Sequence, residues 1–96
     1  MKIRFHAAAE QELAAAVTRG EGFGPGLGLE ILEEANRVAA LLCVTPRIGE
    51  PLDAFHRAFP LRRFPYRLIY RIDDNALMVV AVAHLHQKPG YWRERK

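Results

Sequence analysis

Arginine recurs through one short and otherwise apolar stretch of the chain. Residues 62–72 read RRFPYRLIYRI, in which four arginines are interspersed with aromatic and aliphatic side chains. Guanidinium groups donate several hydrogen bonds at once and keep their charge near neutral pH, so a cluster of them binds phosphate or carboxylate. On an RNA phosphate they could also stabilise charge that develops during strand cleavage. The candidate anion- or target-binding residues are the arginines of this stretch and of the tail: Arg62, Arg63, Arg67, Arg71 and Arg93.

Two histidines and an aromatic pair follow this stretch. His84 and His86 are two positions apart, a spacing that places them on one face of a strand, and histidine transfers protons near neutral pH. Tyr91 and Trp92 could stack on a nucleic-acid base. With the arginines, these groups fit a metal-independent ribonuclease that uses the 2′-hydroxyl as nucleophile. They fit structural roles as well: solvated arginines on an uncovered sheet face, a hydrogen-bonded histidine at a strand end, and an aromatic pair that ties the tail to the core.

Other site chemistries have little support in the sequence. A metal bound by His84 and His86 would need further ligands, which the chain does not offer, and we expect neither metal nor cofactor. The glycines of residues 20–28 do not follow a strand and contain no GK[ST] motif, so a phosphate-binding loop is not predicted. His6 and His56 are isolated and receive no role.

The charge of the chain is unevenly distributed. Residues 1–56 hold five basic and eight acidic side chains, whereas residues 57–96 hold nine basic and three acidic ones. This asymmetry predicts an acidic partner for the C-terminal part.

The length of 96 residues predicts one domain, residues 1–96, and a single cysteine allows no intrachain disulfide. The absence of a long apolar stretch or a signal-peptide pattern favours a cytoplasmic protein.

The elements that would position these residues can be read from periodicity. Lys2–Phe5 alternates as a short strand, and two helical patterns follow, over residues 7–19 with a stop at Gly20, and over residues 27–44. Residues 46–56 read as a loop. Three strand-like segments come next, at about residues 57–64, 66–72 and 76–85, with a hairpin turn at Asp73-Asp74-Asn75 and a last strand that is almost free of polar residues and therefore central. The predicted fold is α+β, in the order β-α-α-β-β-β, with two helices on one face of a small, mainly antiparallel sheet.

This arrangement predicts which side chains point to the helices. Alternation places Tyr66, Leu68 and Tyr70 on one face of their strand, and Arg67 and Arg71 on the other. Because two helices cover only one sheet face, we expect the arginine face to be open, with at least one of the histidines nearby. The tail from residue 88 is expected to form a last helical turn or an extended arm.

The C-terminal half closely resembles a known family. The segment FPYRLIYRIDDNALMVVAVAHLHQKPGYWRER, with YRLIYR, an acidic hairpin turn, an apolar strand ending AVAH and a closing PGYWRER, resembles the RelE/ParE toxin superfamily, also called plasmid stabilisation proteins. The N-terminal half is similar too, with a KIRF strand and GLGLEILEEANR opening the second helix. The resemblance implies the fold given above, a bacterial type II toxin, and a cognate antitoxin that wraps the toxin and neutralises it. The expected assembly is a toxin–antitoxin hetero-oligomer or a homodimer of the toxin.

The resemblance implies two targets for such a toxin. ParE-like members inhibit DNA gyrase, whereas RelE-like members cut messenger RNA on the ribosome, and YRLIYR with PGYWRER looks closer to the ParE side. An inactive homologue that only binds antitoxin is a third possibility. Arg67 matches a catalytic arginine of the nucleases, while His86-Gln87 stands where they often carry a basic pair. If the chain is a nuclease, the catalytic set implied by the resemblance and the residue chemistry is Arg63, Arg67, His84, His86 and Tyr91.

Overall fold

The fold is described from a computed structural model that covers residues 1–96. Two helices and five strands follow one another along the chain. The elements are β1 (Lys2–Phe5), α1 (Ala7–Phe23), α2 (Leu27–Val44), β2 (Glu50–Pro51), β3 (His56–Pro60), β4 (Tyr66–Asp73) and β5 (Ala76–His84). Neither helix has the length and apolar character needed to cross a membrane.

The five strands form one mixed sheet in the order β1-β5-β4-β3-β2. β1 runs parallel to β5, and the other three pairs are antiparallel. The α+β class and the two-helix layer are confirmed, and the order becomes β-α-α-β-β-β-β. The additional strand is β2, which lies inside the stretch that was predicted to be a loop. Its residues Glu50 and Pro51 pair with Ala58 and Arg57 of β3.

The main core lies between the helices and one face of the sheet. Tyr66, Leu68 and Tyr70 of β4 point into it, as the alternation predicts, and are at most 6% exposed. They meet Val38 and Leu42 of α2, which are fully buried. The central position of the apolar strand β5 is also confirmed, since it pairs with β1 on one side and with β4 on the other.

Helix α1 begins at Ala7, as predicted, but ends later than the sequence predicts. At its start, the His6 imidazole Nδ1 accepts the backbone N–H of Ala8 at 3.0 Å, so this isolated histidine is the N-cap. At its end, the helix continues past Gly20 to Phe23. Gly20 is buried at the contact with α2, where a Cβ atom would lie 2.5 Å from Cδ1 of Ile31. The glycine permits close helix packing and does not stop the helix.

The connection between the helices is held by one carboxylate. Glu21 accepts the backbone N–H groups of Gly26 and Gly28 at 3.0–3.1 Å, at the positive end of α2. Gly26 has φ +89°, which glycine adopts without steric cost. The turn Gly24-Pro25-Gly26 is therefore short and pinned.

Two glycines near this turn predict opposite responses to alanine. A Cβ at Gly28 would lie 2.7 Å from the backbone oxygen of Val17, whereas a Cβ at Gly22 meets nothing within 4 Å. Gly28→Ala should lower the free energy of unfolding by about 1–3 kcal/mol, because the helices must separate. Gly22→Ala should raise it by up to about 1 kcal/mol, because alanine favours the helix. Urea unfolding followed by circular dichroism measures both, and equal effects would contradict the close helix contact.

The second face of the sheet is covered, not open. A second apolar cluster on this face contains Ile69, Val80 and Trp92, and Trp92 is 2% exposed. Residues 89–94 of the tail form consecutive turns, which place Trp92 on this face. The expectation of an open arginine face is therefore wrong, because the tail supplies the cover that the two helices cannot. The alternative interpretation of Trp92 as a hydrophobic tie between tail and core is confirmed.

Candidate functional site

The five candidate anion-binding arginines do not form one cluster. Arg62 and Arg63 lie beside α2, in a surface depression that is also lined by Glu30 and Glu34. Arg63 donates from Nη1 to Glu30 Oε1 at 2.9 Å, and the backbone N–H of Arg62 donates to Glu34 Oε2 at 2.6 Å. These two arginines therefore face an acidic helix surface, away from the second sheet face.

Arg67 and Arg71 are both half-buried on β4, but only Arg71 has partners. Its guanidinium donates to the carboxylate of Asp73 and to the backbone oxygens of Arg95 and Lys96, at 2.7–3.1 Å. Arg71 thus fastens the tail to the sheet. Arg67 makes no hydrogen bond or ion pair within the chain, so its guanidinium is free to bind a partner.

Arg93 lies on the tail and is about half-exposed. Its Nε is 3.3 Å from Asp53 Oδ2, and its Cζ is 4.9 Å from the centre of the Trp92 ring. The contact orders the side chain but leaves much of its charge accessible to a target.

His84 and His86 lie on the other side of the sheet, next to α1. Their ring centres are 5.1 Å apart, and the His84 ring meets the edge of the Tyr66 ring at 5.2 Å. They line an open groove of about 400 Å³, which we call the histidine groove. The polar residues of the histidine groove are Glu12, Arg19, Tyr66, His84, His86 and Gln87.

The hydrogen bonds of His84 determine which ring nitrogen carries the proton. The backbone N–H of His86 donates to His84 Nδ1 at 3.1 Å, so the neutral ring holds its proton on Nε2. The backbone N–H of His84 donates in turn to Gln87 Oε1 at 2.9 Å. These two contacts connect His84, His86 and Gln87 in the turn that follows β5.

Glu12 connects helix α1, strand β5 and the tail. Its carboxylate accepts from both Nη atoms of Arg95 at 2.8–2.9 Å, from the Tyr91 hydroxyl at 2.8 Å and from the backbone N–H of Val82 at 3.0 Å. Burial opposes ionisation of Glu12, but the hydrogen bonds from Arg95, Tyr91 and Val82 outweigh it, and the pKa of this carboxyl is lowered. The strand β1 pairs only with residues 76–79 of β5, and the Glu12 carboxylate satisfies the backbone N–H of Val82 further along the same edge.

Tyr91 is restrained by the same carboxylate. Burial makes the largest contribution to a raised pKa of its phenol, and the hydrogen bond to Glu12 raises this pKa further. A phenol in this state keeps its proton, so Tyr91 is poorly suited to act as a general base. The geometry assigns Tyr91 a positioning contact between the tail and α1.

His56 is buried under the tail and pairs with the exposed residue Asp53. His56 Nδ1 lies 2.9 Å from Asp53 Oδ1, and the His56 ring centre is 4.6 Å from that of Trp92. Burial opposes ionisation of Asp53, but hydrogen bonds from the backbone N–H of Phe55 and from the ring and backbone N–H of His56 hold the pKa of Asp53 well below its usual value. His56, which was assigned no role from the sequence, therefore supports the indole of Trp92.

Sequence reasoning missed three residues of the histidine groove. Glu12 and Arg19 lie seven positions apart on α1, a spacing that places them on the same helix face, so a signal was available. Tyr66 was assigned to the core, where its ring lies, but its hydroxyl accepts from Arg19 Nε and Nη2 at 3.1 and 2.7 Å. No three His, Cys, Asp or Glu side chains gather closely enough to hold a metal ion.

Comparison with known proteins agrees with this fold. A solved chain described as the chromosomal ParDE TA system from P. aeruginosa superimposes with a TM-score of 0.76 at 16% identity, over 88% of this chain and 95% of that chain. No curated protein sequence matches the chain. A sequence profile described as "ParE toxin of type II toxin-antitoxin system, parDE" matches residues 3–89. The chain therefore belongs to the ParE toxin family of type II toxin–antitoxin systems, within the RelE/ParE superfamily.

Proposed function

We propose that this toxin inhibits bacterial growth by acting on DNA gyrase, and that a cognate antitoxin neutralises it. Membership of the ParE family supports the gyrase target, because the resemblance implies gyrase inhibition for ParE-like toxins and cleavage of messenger RNA on the ribosome for RelE-like ones. The protein would act as a binding module, with the basic C-terminal half contacting gyrase, its DNA or both.

One observation carries the preference over a ribonuclease. Arg67 lies on the sheet face that the tail covers, whereas His84 and His86 lie on the helix side. Arg63 is paired with Glu30 beside α2, and the Tyr91 phenol is held by Glu12. A metal-independent nuclease needs its acid, base and phosphate ligands around a single phosphate, and these five side chains do not surround one point.

The target can be identified by following synthesis after the toxin is induced without antitoxin. We expect the incorporation of labelled thymidine to fall before that of labelled methionine, because loss of gyrase activity stops replication first. The purified toxin should also inhibit DNA supercoiling by purified gyrase. Co-expression of the antitoxin is the control, and it should restore both rates.

The alternatives give different results in the same experiment. An early fall in protein synthesis would overturn the gyrase proposal in favour of a ribosome-dependent nuclease, and no fall in either rate would indicate an inactive homologue. Arg67→Ala makes the distinction sharper. Loss of a group that stabilises charge in a transition state costs on the order of 10²–10³ in rate, so a nuclease would lose toxicity, whereas a gyrase inhibitor should retain part of it.

The structure also offers a surface for the antitoxin. An open apolar groove of about 630 Å³ runs between β1 and the helices and is lined by Phe5, Leu13, Val17 and Leu32. An amphipathic segment of the antitoxin can bury its apolar side in such a groove. Ala14 is an exposed residue at the groove, and an arginine there would obstruct the segment without entering the core.

Ala14→Arg should therefore separate toxicity from neutralisation. We expect the variant to stop growth as the wild type does, but to bind the antitoxin at least about tenfold more weakly, because a charged side chain occupies the apolar groove. Isothermal titration with the purified antitoxin and growth in co-expressing cells measure the effect. Ala40→Arg, an exposed position of α2 outside the groove, is the matched control. Equal antitoxin affinity of the two variants would place the antitoxin elsewhere.

A further inference from the structure

We propose that the histidine groove binds a phosphate group of single-stranded nucleic acid. The histidine groove is a different surface from the apolar groove offered to the antitoxin, and its ligand does not depend on whether gyrase or the ribosome is the target. Three features of the groove support a phosphate ligand: its free hydrogen-bond donors and acceptors, its charge, and the rings beside it.

The strong acceptors of the groove are already used within the protein. Both Glu12 carboxylate oxygens accept from Arg95, and further from Val82 and Tyr91. Gln87 Oε1 accepts the backbone N–H of His84, and His84 Nδ1 accepts that of His86. A ligand that donates hydrogen bonds, such as an ammonium group or an amide N–H, would find few free acceptors here.

Several donors of the groove, in contrast, have no acceptor within the chain. The Tyr66 hydroxyl accepts two bonds from Arg19, and its own proton is unused. Arg19 donates only to this hydroxyl, which leaves its Nη1 free. His84 Nε2–H and the side-chain amide of Gln87 make no hydrogen bond either. An oxyanion with several acceptor oxygens is the ligand that satisfies such a set of donors.

The charge of the groove favours the same ligand. The charge of Glu12 is neutralised by an ion pair with Arg95, in which the two groups are 2.8 Å apart. Each of the two side chains is about four-fifths buried. Arg19 has no carboxylate partner, although the two bonds to Tyr66 and a cation–ring distance of 5.7 Å hold it in place. The groove therefore presents an uncompensated and positioned guanidinium, the group best suited to phosphate.

The rings beside the donors distinguish a nucleic acid from an acidic peptide. The tilted pair of His84 and His86 stands at the rim, and Leu85 between them is 62% exposed. Bases of a single strand stack on such ring and apolar surfaces while the backbone phosphate meets the arginine. A carboxylate side chain would satisfy the donors but leave these surfaces in water, so we assign the groove to a phosphodiester.

Nuclear magnetic resonance of the histidine rings tests the site on the full-length protein. Titration with inorganic phosphate, and then with a ten-nucleotide single-stranded DNA, should shift the imidazole signals of His84 and His86. The signals of His6 and His56 should stay in place, because these rings cap α1 and pack under Trp92. No shift at His84 and His86 with either probe would overturn the proposal.

Fluorescence anisotropy with the same labelled oligonucleotide tests the donors. Arg19→Gln should weaken binding about tenfold and Tyr66→Phe about three- to tenfold, because a charge-assisted bond and its positioning hydroxyl are lost. Arg19→Gln should also reduce the slope of log Kd against log salt by about 0.7, the contribution of one phosphate contact on a single strand. Arg47→Gln removes an exposed arginine outside the groove and should leave Kd within about twofold.

Two results would contradict the assignment. Equal weakening by Arg19→Gln and Arg47→Gln would show that binding follows overall charge and not the groove. A labelled ten-residue glutamate peptide that binds as tightly as the oligonucleotide, and depends on Arg19 in the same way, would assign the groove to an acidic protein segment.

Discussion

Trp92→Ala should lower the free energy of unfolding by about 3–5 kcal/mol, a large part of the roughly 5–15 kcal/mol that stabilises a domain of this size. The indole is 2% exposed and lies in the second apolar cluster with Ile69 and Val80. Truncation would leave a cavity and would also remove the ring on which His56 packs. Urea unfolding followed by far-ultraviolet circular dichroism measures the loss.

Two neighbouring substitutions serve as controls. Trp92→Phe retains an aromatic ring in the cluster and should cost less than half as much as Trp92→Ala. Arg93→Ala removes an exposed side chain whose ion pair with Asp53 is worth at most about 1 kcal/mol. Wild-type stability of Trp92→Ala would contradict the covered second face. Deletion of residues 89–96 consequently removes part of the core, so loss of toxicity in such a truncation says nothing about the target.

Glu12→Gln should cost about 2–3 kcal/mol at pH 7, because the charge-assisted bonds to Arg95 and Tyr91 weaken and the Arg95 guanidinium loses its counter-charge. The cost should depend on pH. The pKa of Glu12 is lowered in the folded protein, so its stabilising effect is complete above the pKa of the unfolded chain, about 4.3. The effect is lost as the pH falls through the folded-state pKa.

Urea unfolding at pH 7 and at pH 3 measures this dependence. The difference in unfolding free energy between the wild type and Glu12→Gln should be largest at pH 7 and should shrink at pH 3. Glu33→Gln, at an exposed position of α2 without hydrogen bonds, should change stability little at either pH. A difference for Glu12→Gln that stays constant between the two pH values would contradict the ionic role of the carboxylate.

The sequence predicted the elements whose patterns are local. Alternation along β4 assigned Tyr66, Leu68 and Tyr70 to the helix side, and the apolar run of β5 placed that strand in the interior of the sheet. Gly20 misled the prediction of α1, because a glycine that admits a neighbouring helix looks the same in the sequence as a glycine that ends one. The short strand β2 has no pattern of its own and exists through pairing with β3.

The candidate site was harder to predict, because it depends on the side of the sheet to which each loop directs its side chains. Arg63 and Arg67 are four positions apart, yet they point to opposite sides of the sheet: Arg63 adopts a φ of 75° and turns towards Glu30 on α2. The tail covers the second face through Trp92 and Arg71, contacts between distant parts of the chain that periodicity does not contain. Tertiary contacts alone brought Arg19 to the histidines.

The parallel pairing of β1 with β5 has a kinetic consequence. Lys2 is aligned with Ala76, so the first strand pairs with a segment that lies 74 positions further along the chain. The entropy of closing so long a loop must be overcome before the strand contributes any stability. Until then β5 has a free edge, which can pair with another unfinished molecule. Because the β4–β5 hairpin is local in sequence and the β1–β5 pairing is not, we expect the hairpin to form first and β1 to dock last, and the newly made toxin to be prone to aggregate in between.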